Sequence, residues 1–214
     1  MSSADFNRGF NRNMQVSDTT ILASGSQTRL LMLQRAGVPV QAVVARIDEE
    51  AIRRSLEAEQ VQPAEMSMVL AEMKARKVSQ AHPERMVIGC DQILEFEGRA
   101  LGKARSLTEA REHLAAFRGR THELHSAVAV YRTSRSAWRH TATARLRARN
   151  FSDAYLEQYV ARHGEQLLDT VGCYRIEEEG IRLFSSVDGD FFAICGLPLI
   201  PLLTYLGDAG ALAG

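Results

Sequence analysis

The sequence has no long hydrophobic run. None of its uninterrupted apolar stretches approaches the roughly 20 residues that are needed to cross a bilayer. Residues 1–20 carry scattered charges and lack the apolar segment of a secretory signal. We therefore expect a cytoplasmic protein that does not act at a membrane.

Cysteines are few, and neither sign of charge is in excess. Cys90, Cys173 and Cys195 form no CxxC pair and have no spacing suited to zinc, so reduced thiols are the simplest interpretation, ahead of a redox or metal role. Lys plus Arg and Asp plus Glu number 26 each. No global basic field therefore attracts nucleic acid, and any anion must be bound by a local arrangement of residues.

The chain also lacks internal repeats and Pro- or Gly-rich linkers. A chain of 214 residues can bury a substantial core, and most chains of this length form one domain. We interpret residues 1–18 as a flexible N-terminal tail and residues 19–210 as a single domain.

Strand-like and helix-like patterns alternate along this domain, which predicts a mixed α/β fold. Periodicity and capping residues predict helices over residues 27–36, 48–58, 63–82, 106–119, 152–164 and 197–206. Apolar runs predict strands over residues 21–23, 38–45, 86–96, 122–133 and 138–149, with further short strands near residues 171–176, 181–187 and 191–196.

The junction between the first strand and the first helix is rich in small hydroxyl residues. Ser24, Gly25 and Ser26 precede the helix, and Arg29 follows within its first turn. A helix N-terminus has unpaired N–H groups and a positive dipole, so this junction suits a polyphosphate. The alternative is that one serine only caps the helix. The GxxxxGK[ST] pattern of a P-loop is absent.

An acidic residue inside the apolar run "VIGCDQIL" is the strongest anomaly. A buried carboxylate needs a metal, a cation or a set of donors, so Asp91 has either a function or a structural partner. Glu49 at a helix start, Lys74 on an apolar helix face and Lys103 after Gly102 each have an ordinary structural explanation. Together they supply the acids for a divalent metal and the cations for phosphate that nucleotide chemistry requires.

Several short motifs occur in the order and spacing of one known family. The stretches "LASGSQTRLLMLQRAGVPVQAVVARIDE", "AEMKA", "VIGCDQIL", "LGK" and "VDGDFFAICGLPLIPLL" resemble the Maf-like nucleoside triphosphate pyrophosphatases, from about Ile21 to Leu206. The resemblance implies an elongated mixed sheet flanked by helices, with two lobes around a central cleft as in the inosine triphosphate pyrophosphatases. It also implies a homodimer.

The resemblance implies a role for each matching residue. It implies that Mg²⁺ or Mn²⁺ at Glu49 and Asp91 assists hydrolysis of the α–β phosphoanhydride of a nucleoside triphosphate, with Asp91 as general base. Lys74, Lys103 and Arg29 would contact the phosphates, together with the hydroxyl of Ser24. The hydroxyl of Ser26, at the same helix start, is a further candidate for substrate binding. Which carboxylate binds the metal directly stays open.

The residues that correspond to the base-selecting positions of the family are Gln92 and Glu177. A uracil or thymine edge would present carbonyl oxygens to the Glu177 carboxylate, whereas guanine offers two adjacent N–H donors. This pairing resembles the branch that hydrolyses 7-methyl-GTP, whose methylated ring carries positive charge. That branch has an aromatic residue where this chain has Thr28. An alternative for Glu177 is a solvated acidic turn.

Three other functions remain open. The chain departs from the family text at Gln27, Thr28 and Ala104, so a nucleotide-binding regulator with little turnover is one alternative. A dTTP or UTP pyrophosphatase is a second. A nucleic-acid-binding module that uses the arginines of residues 132–149 is a third, although alternating arginines in a hairpin usually mark a solvated face.

Overall fold

Residues 19–212 are described by a computed structural model and form a mixed sheet with helices on both faces. The predicted tail, residues 1–18, lies outside the described range. The strands are β1 (Thr20–Leu22), β2 (Val40–Ala42), β3 (Val87–Phe96), β4 (Arg99–Leu101), β5 (Thr121–Arg132), β6 (Arg135–Ala148) and β7 (Phe184–Asp188). The helices are α1 (Gln27–Arg35), α2 (Glu49–Ala58), α3 (Pro63–Ala81), α4 (Leu107–Phe117), α5 (Asp153–His163), α6 (Phe191–Ile194) and α7 (Leu199–Asp208). The predicted fold class, a mixed α/β sheet flanked by helices, is confirmed.

The strand order places a change of direction at β1. The sheet runs β2-β1-β3-β5-β6-β7, with β4 paired to β3. β1 lies parallel to both β2 and β3, and the other pairs are antiparallel. The chain therefore passes from β1 to β2 on one side of β1 and later returns to β3 on its other side. Ligands of open α/β sheets bind outside the carboxyl ends of strands at such a point.

Side-chain caps begin most of the observed helices. The side chains of five N-cap residues accept a hydrogen bond from a backbone N–H of the first turn, which satisfies a donor without an intrahelical partner; these residues are Ser26, Asp48, Ser106, Ser152 and Asp190. α3 has no such cap but begins at Pro63, whose missing N–H costs nothing in the first turn.

The long hairpin of β5 and β6 is confirmed, with a tighter turn than predicted. Thr133 and Ser134 connect the strands, and both have positive φ, 51° and 59°. Two such residues form the primed turn whose twist matches that of paired strands. The arginines of β6 are exposed, as a solvated face requires.

Two predicted strands are wrong. Residues 191–196 contain the single-turn helix α6, because the Asp190 carboxylate accepts the N–H of Ala193 at 2.8 Å and closes the turn. Residues 171–176 form a turn in which Cys173 has a φ of 58° and Thr170 Oγ1 accepts the N–H of Tyr174 at 3.2 Å. Both segments bury apolar side chains without pairing in the sheet.

The two faces of the sheet pack against different helices. Alternate residues of β3 point to opposite faces. Leu22, Ile88 and Cys90 share a buried cluster with residues of α1 and α7, whereas Val87 clusters with Ala71 and other residues of α3. No helix within residues 19–212 is both long and apolar enough to cross a membrane.

A buried histidine lies in the apolar cluster at the other end of the sheet. His122 Nε2 is 2.7 Å from the hydroxyl of Tyr174, and its ring packs against Phe117 and Phe184. Burial lowers the pKa of His122 to about 4. His125, on the same strand β5, is buried as well.

We expect the protein to lose stability as the pH falls from 6.5 to 4. In this window the unfolded chain binds a proton at His122 and the folded chain does not, so the stability is complete above pH 6.5 and falls with decreasing pH. The loss between pH 7.5 and 5 should be about 2 kcal/mol. Urea unfolding at both pH values measures it. His122→Gln should remove this part of the pH dependence and His140→Gln should not; an unchanged dependence in His122→Gln would contradict the assignment.

Candidate active site at the carboxyl end of β1

Three charged residues meet beside β3. Lys74 Nζ of α3 lies 2.7 Å from Asp91 Oδ1 and 2.8 Å from Glu49 Oε2. Lys74 and Asp91 are each only 6% exposed, whereas the Glu49 side chain, in the first turn of α2, is about half exposed at 52%. The structure thus brings together three of the four predicted catalytic residues in one partly open cluster.

Close packing of α3 on β3 produces this contact. An added Cβ at Gly89 would lie 2.2 Å from the carbonyl oxygen of Ala71 and 2.7 Å from the N of Ala75. Only a residue without a side chain allows this approach. Gly89 and Asp91 point to the same face of β3, so the helix that lies against Gly89 also places Lys74 against Asp91.

The electrostatics of Asp91 suit a proton acceptor. Burial raises the pKa of the Asp91 carboxyl, while the Lys74 ammonium and the Arg29 guanidinium lower it in part and the Glu49 carboxylate raises it. A general base works best when its pKa lies nearer the operating pH than that of an exposed carboxyl. The structural alternative for Asp91 is also realised, since Lys74 is its buried cationic partner. The contact between Lys74 and Asp91 is therefore consistent with both the functional and the structural explanation.

The Ser24 to Ser26 junction lies beyond the last residue of β1. Ser26 Oγ accepts the N–H of Arg29 at 3.4 Å, and Ser24 Oγ accepts the N–H of Ser26 at 3.2 Å. Ser26 is therefore a helix cap, as the structural alternative predicted. Ser24 is buried, and Ser26 and Thr28 are half-buried at the start of α1. β1 pairs with β3 up to Leu22 and Ile88, so this junction and Asp91 border the β1–β3 switch point.

Arg29 joins two distant segments of the chain. Its Nε donates to the carbonyl of Gly196 at 2.7 Å, and its Nη1 donates to the carbonyl of Cys90 at 3.2 Å. Two of the five guanidinium N–H donors thus hold the protein together. Among the described residues no partner engages the other three, so they remain for an anion. Arg29 therefore organises the junction and keeps guanidinium donors that are unpaired among the described residues.

Gln92 points to the face opposite Asp91 and anchors α6. Its Nε2 lies 2.8 Å from Ser126 Oγ, 3.1 Å from the carbonyl of Ala193 and 3.0 Å from that of Ile194. Both hydrogens of the Gln92 amide are engaged in hydrogen bonds to these acceptors. The oxygen of the Gln92 amide is therefore the part left for a ligand.

Glu177 lies next to the same segment. Its carboxylate accepts the thiol of Cys195 at 3.8 Å, and Cys195 directly follows Ile194. Burial and the Glu177 carboxylate together raise the pKa of Cys195 to about 12. Glu177 is exposed, as a solvated turn requires, but the two predicted base-selecting residues border one segment, residues 193–195.

Lys103 is the predicted catalytic residue that the cluster does not include. It is exposed in the loop after β4, and no hydrogen bond or ion pair within residues 19–212 joins it to Lys74 or Asp91. The preceding Gly102 packs against the guanidinium of Arg53, which belongs to the same helix as Glu49. Sequence reasoning missed Arg53, although its position four residues after Glu49 was visible.

Two other features of the sequence find structural explanations. Cys90 is fully buried, and this burial raises the pKa of its thiol to about 11, which disfavours the reactive thiolate. His125 Nε2 lies 2.8 Å from Glu95 Oε2 and 3.8 Å from Glu123 Oε2, a set of atoms with metal-ligating chemistry. Glu123 also pairs with Arg145 at 2.7 Å, so one of the two carboxylates in this group already has a cationic partner.

Comparison with known proteins places this arrangement in a family. The profile described as Maf-like protein matches residues 19–209. The nucleoside triphosphate pyrophosphatase of Caulobacter vibrioides is 50% identical over 191 residues, which is 89% of this chain and 96% of the relative. The Ruegeria sp. protein of that name is 48% identical over 190 residues, 89% of this chain and 96% of the relative.

Two further similar proteins have a different functional name or a lower sequence identity. The 7-methyl-GTP pyrophosphatase of Rhizobium meliloti is 42% identical over 192 residues, which is 90% of this chain and 96% of the relative. A solved structure of a HAM1 protein from Coxiella burnetii superimposes with a TM-score of 0.45 at 14% identity, covering 87% of this chain and 98% of that chain.

Proposed function

The chain belongs to the Maf-like protein family, and from this premise we propose that it is a nucleoside triphosphate pyrophosphatase. The reaction splits the α–β phosphoanhydride of a nucleoside triphosphate with water and releases a nucleoside monophosphate and pyrophosphate. The observation that carries the proposal is the contact of Lys74 with Asp91 and Glu49 beside the β1–β3 switch point. Relatives that cover nearly the whole chain carry the same functional name.

The residues fit a divalent metal cofactor, Mg²⁺ or Mn²⁺. Oxygen atoms of Glu49 and Asp91 both approach one cation, the Lys74 ammonium, within 2.8 Å. Carboxylate oxygens that converge in this way are the hard ligands such ions prefer. When bound, the metal supplies charge neutralisation at the phosphates and lowers the pKa of a water molecule.

The residues of the chain have separate roles in phosphoryl transfer. Asp91 accepts the proton of the attacking water, and its raised pKa favours this role. Lys74 holds the Asp91 carboxylate in place and contributes positive charge beside the phosphates. The remaining donors of Arg29 and the ammonium of Lys103 stabilise the negative charge on the leaving pyrophosphate.

The proposed substrate is 7-methyl-GTP. The Glu177 carboxylate borders the segment that Gln92 anchors, and a carboxylate accepts the N1–H and N2–H₂ donors of guanine. The positive charge of the methylated ring strengthens the same contact. One relative that is 42% identical bears the name of this activity. A dTTP or UTP pyrophosphatase is the second candidate, since the name nucleoside triphosphate pyrophosphatase, which other relatives carry, specifies no base.

A nucleotide panel tests the function. Purified protein with Mn²⁺ should convert triphosphates to equal amounts of monophosphate and pyrophosphate. Release of orthophosphate instead would overturn the proposed bond cleavage. Nucleotide binding without any release would favour the regulator that the departures at Thr28 and Ala104 suggest.

We expect Glu177→Gln to reduce the preference for 7-methyl-GTP over UTP by about 10-fold or more, because it removes a charged acceptor for two N–H donors. The ratio of kcat/KM for the two substrates measures the effect. Glu178→Gln, at the adjacent exposed position, is the matched control and should leave the ratio unchanged. A wild-type preference for dTTP or UTP would reject the role of Glu177 and leave the pyrophosphatase reaction standing.

A further inference from the structure

Arg53 lies on the side of α2 that carries Glu49. α2 begins at Glu49, where the Asp48 carboxylate accepts the N–H of Ala51 at 2.9 Å and fixes the first turn. Residues four apart in a helix lie on the same side, one turn from each other. Glu49 contacts Lys74, so Arg53 is one helical turn away from the charged cluster.

The guanidinium of Arg53 lies against the loop that carries Lys103. An added Cβ at Gly102 would come 2.0 Å from Arg53 Nη1 and 2.8 Å from its Cζ. Gly102 directly precedes Lys103. One arginine therefore links the helix of Glu49 to the loop of Lys103.

Arg53 is weakly engaged within the protein. Its Nε is buried and has no hydrogen-bond partner among the described residues. The nearest carboxylate oxygen belongs to Glu57, at 3.5 Å in a partly exposed i,i+4 pair whose geometry does not make a hydrogen bond, so the contact has little energetic weight. A cation held in place by packing and not neutralised by a tight partner is available for an anion. Arg54, the next residue, is exposed.

We propose that Arg53 binds the pyrophosphoryl end of the nucleoside triphosphate, together with Lys103. This inference rests on the proposed pyrophosphatase function and adds a substrate-binding residue to it. The cluster contains two carboxylates, Glu49 and Asp91, and one buried ammonium, so a highly charged triphosphate requires further cations. A guanidinium satisfies this need because its planar fork donates two parallel hydrogen bonds to phosphate oxygens.

The test measures binding of inorganic pyrophosphate with Mn²⁺ by calorimetry. Arg53→Met should weaken pyrophosphate binding by about 10-fold or more, as expected for the loss of a charge-assisted bidentate contact. Binding of GMP, which lacks the pyrophosphoryl end, should change less than about 2-fold, since it loses no contact with Arg53. Arg54→Met on the same helix is the matched control and should resemble wild type.

Gly102→Ala supplies a second, independent variant. The added methyl group occupies the position of the Arg53 guanidinium and displaces the flexible end of that side chain, so the fold should tolerate it. It should weaken pyrophosphate binding in the same direction as Arg53→Met. If Arg53→Met hydrolyses nucleotide fully and binds pyrophosphate like wild type, the proposed role of Arg53 is wrong and the proposed function still stands. A wild-type protein that binds no pyrophosphate overturns the inference, and the nucleotide panel reports separately on the function.

Discussion

Replacement of Asp91 by asparagine should lower kcat for triphosphate hydrolysis by about 1000-fold or more. The amide has the shape of the carboxylate but cannot accept the proton of an attacking water, and it is a poor ligand for a divalent ion. Release of pyrophosphate under saturating nucleotide and Mn²⁺ measures the loss. The expected size combines the usual contribution of a general base with the weakened hold on a metal.

Two controls make this result specific to Asp91. Glu95→Gln alters a carboxylate on the same strand and the same face, four residues away, and should retain most of the activity. Circular dichroism and urea unfolding of Asp91→Asn separate chemistry from folding, because the variant also leaves the buried Lys74 ammonium with one carboxylate partner instead of two. Activity of Asp91→Asn within 10-fold of wild type would reject Asp91 as the base.

Local signals in the sequence are sufficient for most of the helices. Ser106 and Ser152 are caps by residue type, and Pro63 marks a helix start by its geometry, so the predicted bounds lie within two residues of the observed ones. These signals are short-range and act within one turn. The same reasoning explains why the fold class was predictable, because alternating strands and helices require a mixed sheet.

The wrong predictions fall where an apolar run is too short to have a readable period. Residues 191–196 are equally consistent with a buried strand or a single helical turn. The decisive feature was Asp190, a capping residue directly before the run, which the strand interpretation ignored. At residues 171–176 the positive φ of Cys173 has no counterpart in sequence, since nothing but tertiary packing selects that conformation for a cysteine.

The site was predictable in its residue types but not in its contacts. Asp91 was identifiable because a carboxylate in an apolar strand is costly. The partners of Arg29 at Gly196 and Cys90 lie 167 and 61 residues away in the chain, and no local rule gives such distances. The structural role of Arg29, which joins these two segments, therefore becomes evident only in the three-dimensional structure.

The distance between α3 and β3 is the physical condition for the whole charged cluster. It is set at Gly89, where the backbone of α3 lies in the space that a side chain would occupy. Because the nearest atom is a main-chain oxygen of Ala71, no change of side chain elsewhere relieves the clash. Either the helix moves away from the strand or the strand bends.

We therefore expect Gly89→Ala to lower the free energy of unfolding by about 3 kcal/mol, the upper end of the usual cost of overpacking, because the clash is with backbone atoms. Any folded fraction should lose most of its pyrophosphatase activity, because a displaced α3 takes Lys74 away from Asp91. Urea unfolding and pyrophosphate release measure the two effects. Gly207→Ala in α7, where an added Cβ meets no atom within 4 Å, is the matched control and should be neutral or stabilising. Wild-type stability and activity in Gly89→Ala would mean that the close approach of α3 is not what positions Lys74.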